Sequence, residues 1–142
     1  MGTTNHITTK WLGEKAFESN NPSGLNFKID ASPDDGGEGQ GFRPKALMLS
    51  SLAGCSGLDI AGLIKKMKLE VDDFHIETIA NLTDEHPKYY DSVVVEYHFH
   101  GGNLNEKKLQ RAVDLSVEKY CGVMEMFRRF AKMEIKTFFH KN

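Results

Sequence analysis

The sequence predicts an α+β protein with elements in the order β-β-β-α-β-β-α-α-β. Three observations carry this prediction. The first thirty residues fall into short segments rich in β-branched and aromatic side chains. From Ala46 to Ile64 the only charged residue is Asp59, which marks one long apolar helix. The stretch "YYDSVVVEYHFH" alternates Val93, Val95, Tyr97 and Phe99 with more polar positions, the period of a half-buried strand. Strands and helices do not alternate one for one, so a doubly wound parallel sheet is not expected.

In chain order, "HITTKWLG", "KAFESN" and "GLNFKID" read as three strands, with Asn-Pro-Ser-Gly as the turn before the third. Trp11 is expected to anchor packing there. Residues 32–43 form a glycine-rich loop. Its Gly37, Gly39 and Gly41 do not suit a phosphate cradle, because Asp34, Asp35 and Glu38 would repel phosphate. A central helix is expected over residues 44–68, with Pro44 in its first turn, where a missing amide costs nothing. A membrane span is rejected for it, since it holds three glycines and Asp59 is costly in lipid. A helix buried on most sides fits better, with Leu49, Ala53, Ile60 and Ile64 toward the core. Gly54, Gly57 and Ala61 form a small-residue strip that lets a neighbouring helix approach.

Residues 69–142 are expected to supply the remaining strands and two helices. "LEVDDFHIETIANL" and "YYDSVVVEYHFH" read as strands. Asn103, with Glu106 three residues on, reads as a capping-box start. Leu109, Ala112, Val113, Val117 and Tyr120 keep helical spacing, and Gly122 can end that helix. "VMEMFRRFAK" follows as a short helix and "MEIKTFFHKN" as the last strand. The whole chain, 1–142, reads as a single domain.

Composition sets the class. Charged residues make up 27% and hydrophobic ones 39% of 142 residues, ordinary for a soluble globular chain. A formal net charge of −2 provides no basic field for nucleic acid or anionic lipid, so neither is expected as a partner. The first twenty residues lack a basic-then-apolar export signal, so a cytoplasmic location is expected. In a reducing cytosol a stable structural disulfide is not expected, and a cysteine pair points to redox or catalytic chemistry.

The chain has two cysteines, Cys55 and Cys121. Their separation fits neither a CxxC motif nor a zinc-ligand pattern, and neither a metal nor another cofactor is expected. Cys55 sits in "SSLAGCSGLDIAGLIKKM", with Ser51 and Asp59 one helical turn away on either side. Cys121 lies where one helix ends and another begins, so amides at the start of the following helix point toward its sulfur. Two readings stay open from these residues alone: inert buried thiols, or a reactive pair. His98 and His100 share one strand face, but no third metal ligand accompanies them in the sequence, and solvent-facing histidines are expected. Arg128 and Arg129 are expected to face solvent.

"RPKALMLSSLAGCSGLDIAGLIKKMK" together with "LQRAVDLSVEKYCGV" resembles the OsmC/Ohr family, the osmotically inducible and organic hydroperoxide resistance proteins. "EHPKYY" ahead of a strand belongs to the same pattern. The "GCSGLDI" and "KYCGV" forms are similar to the less characterised OsmC-like branch. The resemblance implies antiparallel sheets wrapped around a long central helix, in an intertwined homodimer with its site at the subunit interface. It implies that Cys55 attacks an organic hydroperoxide and becomes a sulfenic acid. Cys121 then resolves it as a disulfide, and a dithiol reductant restores the pair. Such a thiol peroxidase would serve the oxidative stress response.

Two departures from the family pattern stand out. The well-studied members complete the site with an N-terminal arginine and a glutamate about ten residues before the first cysteine. Here residues 1–42 contain no arginine, and the positions ten and nine before Cys55 are Lys45 and Ala46. Arg43 and Lys45 are the candidate substitutes, and Asp59 is the nearest acid on the helix. The alternative implied by these departures is a non-catalytic OsmC-like dimer that holds a small apolar ligand in the interfacial cleft.

Overall fold

The structure is a computed structural model and describes residues 2–142. It divides into two compact units, Met1–Met48 and Leu49–Asn142.

In the first unit, β1 (Thr9–Gly13), β2 (Ala16–Ser19) and β3 (Phe27–Ile29) form an antiparallel sheet in that order. Trp11 does not anchor packing as expected. It is 67% exposed, and its indole N–H donates to the Glu14 carbonyl at 2.9 Å, closing the β1–β2 hairpin. The reason is position: β1 is an edge strand, with a neighbouring strand on one side only.

The glycine-rich loop is organised from within. Asp30 is buried, and its carboxylate accepts from the amides of Ala31 at 2.8 Å, Glu38 at 3.1 Å and Gln40 at 3.2 Å. Loop amides that would face a phosphate in a phosphate-binding loop converge on the chain's own anion instead. The Gln40 amide is foremost, with those of Glu38 and Ala31, in holding this carboxyl below its ordinary range. Gly37 is required here, because a Cβ would lie 2.1 Å from the Ala31 carbonyl oxygen.

Helix α1 (Pro44–Lys66) begins at the expected proline. The expectation that it is buried on most sides is not met. Leu52, Ser56 and Ile60 are its buried residues, a single stripe with one residue per turn, while Leu58 is 78% exposed. By length and composition α1 would pass as a membrane span, with a mean hydropathy of 1.6 over its most apolar window. Its buried stripe, however, packs on the second sheet. Gly57 allows the close approach: a Cβ there would lie 3.3 Å from Cδ1 of Ile76. Of the small-residue strip, only Gly57 meets a neighbouring element, and that element is a strand where a helix was expected; Gly54 and Ala61 are exposed.

That sheet has the order β4 (Asp73–Leu82), β5 (Tyr90–His100), β6 (Lys132–His140). The β4–β5 pair is antiparallel, as expected, but β5–β6 is parallel. A parallel pair needs a crossover, and the helical segment between β5 and β6 provides it. Val93, Val95, Tyr97 and Phe99 form the inner face and are almost fully buried. They meet Leu52 and Ile60 of α1, and Leu109, Ala112, Val113, Met124 and Phe127 of the crossover. Each fully buried aliphatic side chain of this core contributes about 1.5–3 kcal/mol.

The crossover comprises α2 (Glu106–Leu115), a π-helical turn (Ser116–Tyr120) and α3 (Gly122–Arg128). Asn105, not Asn103, caps α2, its side chain accepting from the Lys108 amide at 3.1 Å. Asn103 donates to Glu70 instead. Gly122 opens α3 where it was expected to close the preceding helix.

Candidate functional site

Cys55 lies on α1 next to Ser56, the residue that α1 turns toward the sheet. It is half-buried, whereas Cys121 is 4% exposed, and both are free thiols. The π-helical turn ends at Cys121, which caps α3: the Met124 amide donates to its sulfur at 3.3 Å. The amide expected to serve this sulfur is therefore in place.

The two thiols, far apart in sequence, are near enough for Cys55 to act on the ionisation of Cys121. Burial pushes the Cys121 thiol up to about 11 from an ordinary 9.0. The Met124 amide opposes that rise, while the contact with Cys55 and the charge of Asp59 add to it. Cys121 is thus protonated at neutral pH.

A polar chain that the sequence reading missed runs beside the thiols. Ser56 Oγ lies 2.7 Å from Tyr97 OH and 2.7 Å from Ser116 Oγ. Ser116 Oγ lies 3.0 Å from Asp59 Oδ2. A carboxylate only accepts, so Ser116 donates to Asp59, Ser56 to Ser116, and Tyr97 to Ser56. Burial pushes the Tyr97 phenol up to about 12, the charges of Cys121 and Asp59 adding to the rise. The signal for this chain was faint: Ser56 and Ser116 each stand one step from an apolar helical stripe, and Tyr97 sits among inward-facing apolar residues.

Of the other candidates, Asp59 joins the thiol neighbourhood through Ser116. Arg43 and Lys45 belong to the first unit. There Arg43 donates to the Gly41 carbonyl at 3.0 Å and contributes to holding down Asp30, and Lys45 is exposed. Arg128 and Arg129 pair with Glu125 on the surface. His98 and His100 share the outer face of the second sheet, where the fold adds His75 and His140 beside them.

A helix carrying one half-buried thiol, packed on a mixed sheet, with a second, buried thiol at a nearby helix junction, defines an α+β protein with two neighbouring free thiols. Residues 37–136 match the family model of the OsmC-like proteins, and the chain belongs to that family. Protein YhfA of Escherichia coli (strain K12) is 27% identical over 120 residues, 84% of this chain and 87% of that protein. A hypothetical protein from Aquifex aeolicus VF5 has a crystal structure similar to this one, with a TM-score of 0.86 and 29% identity over 99% of both chains. The organic hydroperoxide resistance protein OsmC of Legionella pneumophila has a TM-score of 0.70 over 95% of this chain and 96% of its own. At 18% identity that likeness is one of fold alone.

Proposed function

We propose that this protein is a thiol-dependent peroxidase acting on organic hydroperoxides, working as a homodimer in a reducing cytosol. The observation that carries the proposal is the proximity of the two free thiols, with Cys121 buried and Cys55 the more accessible. The Cys55 thiolate attacks the distal oxygen of ROOH. The O–O bond breaks, ROH leaves with a proton, and Cys55 becomes a sulfenic acid. The Cys121 sulfur displaces hydroxide from that sulfenic acid, its proton leaving with it as water, and a disulfide forms. A dithiol then reduces the disulfide by exchange. The organic hydroperoxide resistance proteins among the structural neighbours make this substrate class the natural one to test. The apolar surface of α1, with Leu58 78% exposed, supports association with a second copy.

A second reading is favoured by one specific observation. Residues 1–42 hold no arginine, so this chain lacks the N-terminal arginine that the family pattern provides for the peroxide, and a dimer that merely holds an apolar ligand would need none. Consumption of cumene hydroperoxide with a dithiol reductant separates the two. The peroxidase reading expects turnover by the unaltered protein, background rates for Cys55→Ser, and a single attack with a trapped sulfenic acid for Cys121→Ala. Equal background rates for the unaltered protein and Cys55→Ser would remove the peroxidase and leave the ligand-binding dimer.

A further inference from the structure

The outer face of the second sheet gathers side chains that sequence spacing keeps apart. Antiparallel pairing sets His75 opposite His98 and Glu77 opposite Glu96, and parallel pairing sets His100 opposite His140. All six project from the same face, because inward and outward positions alternate along each strand. The imidazoles stack: ring centroids are 4.6 Å apart for His75 and His98, and 4.5 Å for His100 and His140. The thiols lie across the sheet, on the side of Tyr97.

We propose that this face binds a divalent transition metal ion of the zinc, cobalt or nickel class through His75, His98 and Glu77. One donor atom from each lies within 4.8 Å of the other two. The Nε2 atoms of His98 and His75 lie 3.6 Å and 3.9 Å from Glu77 Oε2. Donors on one tetrahedral ion stand about 3.4 Å apart, for bonds of about 2.0–2.1 Å. The His75 and His98 rings are stacked nearly parallel, so ligation of one ion requires them to turn out of the stack until both lone pairs converge.

The second ring nitrogens strengthen the assignment. His75 Nδ1 lies 3.2 Å from His100 Nε2, and His98 Nδ1 lies 2.8 Å from His140 Nε2. With each Nδ1–H donated to the neighbouring imidazole, both Nε2 lone pairs face Glu77, the tautomer that metal ligation requires. His98 Nε2 also lies 3.0 Å from Glu96 Oε1, so Glu96 is available as a fourth ligand. A lone pair against two carboxylates is unfavourable until a cation, whether proton or metal, sits between them. Lys136, opposite Glu96 in register, is paired with Glu134 at 3.4 Å. A set of two imidazoles with carboxylates suits zinc, cobalt or nickel over magnesium or calcium, which prefer oxygen throughout.

The test uses the full untagged chain. Because the thiols also attract zinc, the titration is made on the Cys55→Ser, Cys121→Ser protein, with Zn²⁺ followed by calorimetry at neutral pH. The expected result is one saturable equivalent, weakened about tenfold or more by His75→Asn and by His98→Asn, and unchanged by His6→Asn in the exposed N-terminal segment. The absence of saturable binding, or equal affinity in all four proteins, overturns the proposal. The same histidine substitutions on the unaltered chain, read by Co²⁺ absorption, keep the test valid should the serine pair disturb folding. Nitrogen and oxygen ligation then gives visible bands without a thiolate charge-transfer band. Those bands should vanish in both histidine variants, and their persistence overturns the assignment.

Discussion

Ser56 Oγ and Tyr97 OH lie 2.7 Å apart in the buried interior, joining α1 to the middle strand of the second sheet. Ser56 immediately follows Cys55, so this bond sets the rotation of the helix that carries the thiol. From Ser56 the donors run through Ser116 to Asp59.

Breaking this chain at its centre should cost more than shortening it at its end. Ser56→Ala leaves both Tyr97 OH and Ser116 Oγ short of a partner in a dry site, and is expected to destabilise by about 1–3 kcal/mol. Tyr97→Phe removes the terminal donor together with its own need, and is expected to cost about 0.5–1.5 kcal/mol. Urea unfolding at pH 7 measures both. A Tyr97→Phe loss larger than the Ser56→Ala loss would contradict the direction of donation described above.

Alkaline stability reports the two buried acids. Cys121 and Tyr97 are both raised in the folded chain, Cys121 to about 11 and Tyr97 to about 12. A group that ionises more readily when unfolded stabilises the fold fully below its unfolded value and loses that contribution as pH rises to its folded one. Stability should therefore fall from about pH 9 to about pH 11 through Cys121, and from about 10 to about 12 through Tyr97. In Cys121→Ser the earlier part of the decline should flatten. An unchanged decline in that variant would mean that Cys121 is not the group responsible.

The loop around Asp30 should fail from either of its two contacts. Gly37→Ala places a methyl group against the Ala31 carbonyl and Asp30 Oδ1, a clash with backbone that is expected to cost about 1–3 kcal/mol. Asp30→Asn weakens acceptance from the three amides without any clash. Because the Asp30 carboxyl is held low, its contribution is present above the ordinary carboxylate value of 3.8 and fades as pH falls through the lower folded one. The unaltered chain and Asp30→Asn should thus converge in stability in acid, and a constant difference down to pH 2 would contradict this account.

Much of the architecture was readable in advance, because it rests on neighbours in the chain. The period-2 run from Val93 to Phe99 marked β5, the near-absence of charge marked α1, and Pro44 marked where it begins. The motifs around Cys55 and Cys121 pointed to the family that the comparison then established. Cap details were less legible: Asn103 and Asn105 both suit a helix start, and in the structure Asn105 caps α2 while Asn103 bonds Glu70, a residue distant in sequence.

The amino-acid order by itself determined the succession of strands and helices and which two sulfur atoms were available for chemistry, since periodicity, caps and composition act over a few residues. Tertiary structure alone decided that β6 runs parallel to β5, that only one stripe of α1 is buried, that Ser56, Tyr97, Ser116 and Asp59 form one hydrogen-bonded chain, and that four histidines share a sheet face. Register between strands and the rotation of a helix on a sheet are set by packing between distant segments, and no local pattern carries that information.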